Sequence, residues 1–191
     1  MLKRPAGHVL LLTGRPGVGK TTAIRRIAAS LSGWRLAGFC TDEIRVAGQR
    51  QGFRAVALDG SGRIMAHLDI RGPHRVGRYG VDVSAIDQLA SPGLGLNPAV
   101  DLYLVDEIGR MECLSQRFIA AMRALLESRT LVVATIAQRG GGFIAEAKQT
   151  NGAELWEVTH ANRDALPDRA VAWLRAARAA VRTGRSHENP P

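Results

Sequence analysis

Gly14-Arg15-Pro16-Gly17-Val18-Gly19-Lys20-Thr21 decides the fold. It matches G-x-x-x-x-G-K-[ST], a glycine-rich loop whose backbone N–H groups turn inward around a phosphate. The glycines let the chain wrap the anion closely, and a following helix adds the positive end of its dipole. In that arrangement Lys20 reaches the β- and γ-phosphates and the Thr21 hydroxyl binds Mg2+. The flanks supply the needed context. Residues 8–13 are a short apolar run that reads as a buried strand, and residues 20–31 carry a helical stripe of Ala23, Ile24, Ile27, Ala28 and Leu31. A chain of this composition would match the pattern by chance at a rate of about 0.003, so a plain glycine turn with a solvated lysine is set aside.

Downstream, residues 35–46 and 51–58 read as extended stretches joined by the turn Ala47-Gly48-Gln49. Residues 63–68 read as a third strand after the turn Asp59-Gly60-Ser61-Gly62. This region reads as an antiparallel hairpin insertion. Residues 71–80, rich in Gly, Arg and Pro, read as a loop, and residues 83–89 as a short helix with Ser84 near its start. Residues 101–105 and 131–136 are further buried strands, and residues 114–126 an amphipathic helix capped by Ser115. A short helix at 145–149 and a strand at 155–159 follow, and Pro167 suits the first turn of a final helix running to about residue 181. The alternation predicts an α/β fold of three layers: a mostly parallel sheet covered on both faces, with the antiparallel hairpin inserted early. The 191 residues fit one domain over residues 1–182, with a polar tail at 183–191 expected to be frayed.

Asp106 and Glu107 end the apolar run Leu102-Tyr103-Leu104-Val105, where a phosphate-loop fold needs a carboxylate. The pair predicts a division of labour. Asp106 joins Thr21 in holding the metal, while Glu107 polarises a water for attack on the γ-phosphate, which makes Lys20 and Glu107 the candidate catalytic residues. Thr135, near the end of the next strand, is a candidate for touching the γ-phosphate or the attacking water. Arg110 and Arg139 could neutralise developing charge, although each taken alone reads as a surface arginine. Asn162 and Arg163 follow the last strand, where a loop or helix start is expected and a base-binding loop often lies. His8, His67, His74, His160 and His187 show no ligand spacing, so no transition-metal site is expected. Trp34, Trp156 and Trp173 read as separate packing residues, and Arg175, Arg178, Arg182 and Arg185 as a solvated face of the last helix.

Composition narrows the partners. No apolar run approaches the ~18 residues of a spanning helix. Met1-Leu2-Lys3-Arg4-Pro5 lacks a signal-peptide pattern. Cys40 and Cys113 match no disulfide or zinc framework. A reduced, cytoplasmic protein with no membrane partner is expected. The net charge is +9, from 26 basic and 17 acidic residues, yet only Lys3, Lys20 and Lys148 are lysines. The arginine richness is chain-wide and forms no basic block, so nucleic acid is not favoured as a partner.

Beyond the phosphate loop, five further segments occur in order: Gly38-Phe39-Cys40-Thr41-Asp42-Glu43-Ile44-Arg45, Arg75-Val76-Gly77-Arg78-Tyr79-Gly80-Val81, Asp106-Glu107-Ile108-Gly109-Arg110-Met111-Glu112, Ala134-Thr135-Ile136 and Asn162-Arg163-Asp164. Together they resemble the small nucleoside-triphosphatase family first described from thermophiles, which includes the vertebrate cancer-related nucleoside-triphosphatase. The resemblance covers about residues 8–175, and residues 38–45 with 106–112 are its most particular part. It implies a RecA-like P-loop domain that hydrolyses nucleoside 5′-triphosphates (ATP, GTP, CTP and UTP) to diphosphates with Mg2+, slowly and with little base preference. It further implies that Gly14, Arg15, Pro16, Gly17, Val18, Gly19, Lys20 and Thr21 bind the triphosphate. Tyr103, Leu104, Val105, Asp106, Glu107, Ile108, Gly109 and Arg110 would form a second nucleotide-contacting segment, with Thr41, Glu43 and Arg45 at the edge of the site. Two positions depart from the pattern. Cys40 stands where an aromatic residue is common, and Gln138-Arg139 where Pro and Lys-like residues often occur, which weakens the case for Arg139. Two rival readings stay open on the residues: a P-loop kinase of a small metabolite or nucleoside, and a nucleotide-dependent RNA- or DNA-binding module.

Overall fold

The computed structural model describes residues 7–185. Residues 1–5, which lack a signal-peptide pattern, and residues 186–191, the end of the expected tail, lie outside them. In chain order, β1 (Val9–Thr13) leads through the phosphate loop into α1 (Lys20–Ala29). The hairpin region is β2 (Leu36–Val46), β3 (Gln49–Ala57) and β4 (Gly62–His67), followed by the short β5 (Arg75–Val76) and β6 (Tyr79–Val81). Then come α2 (Val83–Gly93), β7 (Leu102–Ile108), α3 (Gln116–Glu127), β8 (Leu131–Ile136), α4 (Phe143–Lys148), β9 (Ala153–Glu157) and α5 (Leu166–Arg185).

Among the described residues, nine strands form one sheet, ordered β5-β6-β4-β3-β2-β7-β8-β1-β9. The run β2-β7-β8-β1-β9 is parallel, and β3, β4, β6 and β5 extend it antiparallel. The expected hairpin insertion is therefore an extension of the same sheet. Side chains alternate between two cores. Val9, Leu11, Tyr103, Val105, Val132 and Ala134 pack with Ile86, Phe118, Met122 and Ile144 on one face. Leu10, Leu12, Leu102, Leu104, Leu131 and Val133 pack with Ile24, Ile27, Val171 and Leu174 on the other. Each fully buried Leu, Ile or Phe contributes roughly 1.5–3 kcal/mol, and near-continuous apolar strands of this kind are what a sheet covered on both faces requires.

The boundaries differ from expectation where local chemistry was hidden. Residues 71–80 are not all loop, because Tyr79 and Val81 are buried against the core and draw β5 and β6 into the sheet edge. The first helix after that edge has Ser84 in its first turn but runs on to Gly93, and its cap is Asp82, whose carboxylate accepts from Ala85 N at 3.1 Å. Ser115 caps α3 as expected, accepting from Phe118 N at 2.9 Å. α5 continues to Arg185, so Thr183, Gly184 and Arg185 are helical rather than tail. The tryptophans are not all separate: Trp156 and Trp173 meet edge to face at 6.5 Å, and both indole N–H groups donate to Glu154. Arg178 is likewise not on a solvated face. It lies over Trp34 and pairs with Asp101 at 2.8 Å. Burial works to raise the Asp101 carboxyl, but Arg35 and Arg178 outweigh it and hold it low.

Candidate active site

The phosphate loop leaves the carboxyl end of β1, flanked by the ends of β8 and β9, which is the crevice where open α/β sheets bind ligands. Val158 N donates to Thr13 O at 2.7 Å, tying the end of β9 to the start of the loop. The approach is so close that a Cβ on Gly14, at φ +152°, would lie 2.5 Å from Val158 O. Glycine is required there on both counts. Lys20 is buried to 9% exposure, and its Nζ donates to Gly14 O at 3.1 Å and Arg15 O at 3.5 Å, so the ammonium sits inside the curl of the loop. Gly19 begins α1 with no side-chain cap, and the first turn holds no acid. The free N–H groups of that turn and the ammonium together favour an anion.

Asp106 and Glu107 do not follow β7 but lie within it, at a bulge between Val105 and Ile108 opposite β8. Bulges of this sort re-aim side chains. Asp106 is 1% exposed and held from both sides. Thr135 Oγ1, from β8, donates to its Oδ1 at 2.6 Å, and Thr41 N, from β2, donates to its Oδ2 at 3.4 Å. The Thr41 hydroxyl also donates to the Asp106 carbonyl. Thr135 therefore spends its hydroxyl on Asp106 rather than standing free. Glu107 is half-buried, and its carboxyl is pushed above the ordinary range by burial, with Lys20 working against the shift and Asp106 adding to it.

A third acid, which the sequence offers only as a fallback base, sits beside this pair. Glu112, in a short 3-10 turn, is 4% exposed. A Cβ on Gly109 would lie 2.8 Å from its Oε2, so Gly109 makes room for the carboxyl. The Glu112 carboxyl is pushed up to about 8, first by burial and then by the charges of Glu107 and Asp106, with N–H groups of Glu112 and Gly109 partly offsetting. The signal was present in Gly109-Arg110-Met111-Glu112, but burial of an acid does not show in sequence.

The sign of the pH effect follows. Between the ordinary value of 4.5 and about 8, native Glu112 keeps a proton that the unfolded chain has lost, so stability falls as pH rises through that window. Glu112→Gln mimics the protonated acid. Its Tm should equal that of the unsubstituted protein near pH 4.5 and exceed it by roughly 10 °C at pH 8 and above, since the shift is worth on the order of 5 kcal/mol. Parallel Tm curves across the window would show that Glu112 is not a neutral buried acid.

The remaining expected residues separate cleanly. Tyr103, Leu104 and Val105 are each 0% exposed in the core, and the Tyr103 hydroxyl donates to Gly95 O at 2.5 Å. Their side chains cannot face a nucleotide. Ile108 is also 0% exposed, so the second segment presents only Asp106, Glu107 and the Gly109–Arg110 end. Arg15, Pro16 and Gly17 are exposed in the loop, Arg110 is exposed just after β7, Val18 is packed in the core, and Thr21 is half-buried at the head of α1. Arg139 is exposed beyond β8. Thr41 reaches the site, but Glu43 and Arg45 do not. They lie toward the β2–β3 turn, where Arg45 and Arg50 both pair with Glu43. Burial works to raise the Glu43 carboxyl, and the two guanidiniums outweigh it and hold it low.

The donor set suits Mg2+. Among the described residues no three His, Cys, Asp or Glu side chains form a metal cage. The candidate donors are one hydroxyl at the head of α1, Thr21, and one buried carboxylate, Asp106, whose charge Glu107 and Glu112 feel. Lys20 is the cation acting on Glu107. A hard divalent ion that keeps most of its shell as water and phosphate oxygens fits such a sparse, acid-rich, all-oxygen site.

A glycine loop at the end of β1, its buried lysine, and a carboxylate pair on β7, with β8 between the two strands, together define a P-loop nucleoside-triphosphatase fold and site. A model of the NTPase family matches residues 9–171. The nucleoside-triphosphatase THEP1 of Thermotoga petrophila is 39% identical over 82% of this chain and 87% of its own length. The human cancer-related nucleoside-triphosphatase is 37% identical over 85% of this chain and 94% of its own. The crystal structure of THEP1 from the hyperthermophile Aquifex aeolicus superposes with a TM-score of 0.80 at 33% identity, covering 87% of this chain and 98% of that one. The chain belongs to the NTPase family, the nucleoside-triphosphatases.

Proposed function

We propose that this nucleoside-triphosphatase hydrolyses ATP, GTP, CTP and UTP to the diphosphate and phosphate, using Mg2+ and discriminating little among bases. The observation that carries the reading is the placement of Lys20, Asp106 and Glu107 within electrostatic reach of one another at the carboxyl ends of β1 and β7. The loop and Lys20 bind the β- and γ-phosphates and stabilise charge as it shifts between the transferring oxygens. Glu107, with its basicity raised by burial, orients a water in line with the γ-phosphorus and accepts its proton. Thr21 and Asp106 would hold the metal, which when bound neutralises the phosphate oxygens. Thr135 and Thr41 fix both oxygens of Asp106, so the carboxylate is pre-oriented for that duty. A cytoplasmic location belongs to the same reading. It is supported by two free cysteines, Cys40 and Cys113.

Base tolerance follows from what surrounds the loop after β9. Asn162 is the amide of that loop, and its Oδ1 accepts from Thr159 N at 2.8 Å while its Nδ2 donates to Glu157 O at 2.8 Å. Both ends are spent on the turn. Asp164, 88% exposed, faces Arg26 at 3.9 Å. With unread base edges, affinities differ little. The kcat/KM values for ATP, GTP, CTP and UTP with Mg2+ should lie within about tenfold of one another, or ~1.4 kcal/mol, and RNA should leave turnover unchanged. A preference above a hundredfold, or turnover that needs RNA or a phosphate acceptor, would overturn this reading.

A further inference from the structure

Arg163 has no role in the chemistry above, yet its place is tightly specified. Its N–H donates to Thr159 O at 3.0 Å, within the turn that Asn162 clamps at both ends. That turn follows β9, whose end is tied to the phosphate loop through Val158 and Thr13. The result puts the aliphatic stem of Arg163 over Gly19: a Cβ built there would lie 3.7 Å from Arg163 Cδ and 4.0 Å from its Cβ. The side chain is exposed. Among the described residues its guanidinium has no hydrogen-bond or ion-pair partner, because Asp164 next door turns to Arg26.

The sheet order says which part of a ligand this arginine meets. Asp106 and Glu107 belong to β7, on one side of β1, with β8 between. Arg163 follows β9, on the opposite side of β1. A nucleotide whose reacting γ-phosphate lies at Glu107 must run across the loop toward β9. Its nucleoside end then arrives at Arg163, and its terminal phosphate does not. We propose that Arg163 stacks its guanidinium plane on the nucleobase and so supplies most of the affinity that the base contributes. The proposal rests on the phosphate-loop reading. A planar, weakly hydrated cation lies well on the face of any base, and such contact is tolerant of sequence because every base has a π-face. A stacking arginine beside an amide already spent on its own turn accounts for a site that holds bases without reading them.

The test is equilibrium binding, measured for ADP, GDP, CDP and UDP and, as the probe without a base, inorganic tripolyphosphate. Arg163→Ala should weaken all four diphosphates by about tenfold, purines more than pyrimidines, and leave tripolyphosphate within twofold. Arg163→Lys, which keeps the charge and loses the plane, should be as weak as the Ala variant, whereas Arg163→Tyr should recover most of the loss. Equal weakening of tripolyphosphate, or a Lys variant that binds like the unsubstituted protein, would mean that Arg163 serves phosphates and would overturn the proposal. So would unchanged binding in the Ala variant. Binding is read without turnover, so a chain that binds diphosphates but releases no phosphate would contradict the hydrolase reading alone.

Discussion

Lys20→Ala should lose at least ~10²-fold in turnover, on the order of 3 kcal/mol of transition-state stabilisation, together with weaker triphosphate binding. Both losses are expected because the ammonium touches phosphate oxygens in the bound state and more strongly as charge shifts in the transition state. Lys20 Nζ bonds the carbonyls of Gly14 and Arg15. The ammonium is thus already poised within the loop, and little reorganisation separates that position from a phosphate. The fold should survive the change, since the loop is tied to β9 through Thr13 and Val158 and α1 is anchored by Ala23, Ile24 and Ile27. Steady-state kinetics with a thermal melt as control checks this. Unchanged turnover in a folded Lys20→Ala protein would remove the phosphate-loop assignment.

Glu107→Gln should divide binding from chemistry. Gln keeps the shape and can still accept a hydrogen bond, but it cannot take the proton from water. The variant should bind Mg2+–triphosphate while hydrolysing it roughly 10²–10⁴-fold more slowly. The pH profile gives a second reading. Burial raises the Glu107 carboxyl above the ordinary range, and the base works only when ionised. Activity of the unsubstituted protein should therefore fall on an acid limb lying above ordinary carboxylate values, and the Gln variant should lack that limb. Asp106→Asn differs in kind: it should raise the Mg2+ requirement and weaken binding and rate together. Normal hydrolysis by Glu107→Gln would place the base elsewhere. Glu112 would then be next in reach, because Glu43 is pinned between Arg45 and Arg50 toward the β2–β3 turn.

Where a residue's role is fixed by its immediate neighbours in the chain, sequence was enough. The apolar run before Gly14, the glycines and Lys20 specify a strand, a loop and a helix by local rules, and the structure has all three. Ser115 as a cap is of the same kind. The roles that long-range pairing decides were not legible. Thr41 and Thr135 are 65 and 29 residues from Asp106, and only the register of β2 and β8 against β7 brings their hydrogen bonds to one carboxylate. The same strand carries Glu43 and Arg45 further along, away from Asp106 and Glu107 and toward the β2–β3 turn. Tyr103 was drawn into the nucleotide segment by its neighbours in the motif, but strand alternation turns it into the core, where Gly95 accepts its hydroxyl proton. Arg178 and the Trp156–Trp173 pair show the converse, in which charged and aromatic side chains assigned to surface or isolated packing find tertiary partners. Helix periodicity cannot foresee those contacts, because the partners come from other elements.

The central claim is that water, oriented at Glu107, attacks the γ-phosphorus of a triphosphate held by the loop. Turnover of ATP with Mg2+ in 18O-labelled water, followed by mass analysis of both products, tests it most directly. The account predicts one 18O atom in inorganic phosphate at the first turnover and none in ADP. Label in the nucleotide product, or no phosphate release until a hydroxyl acceptor is added, would contradict it.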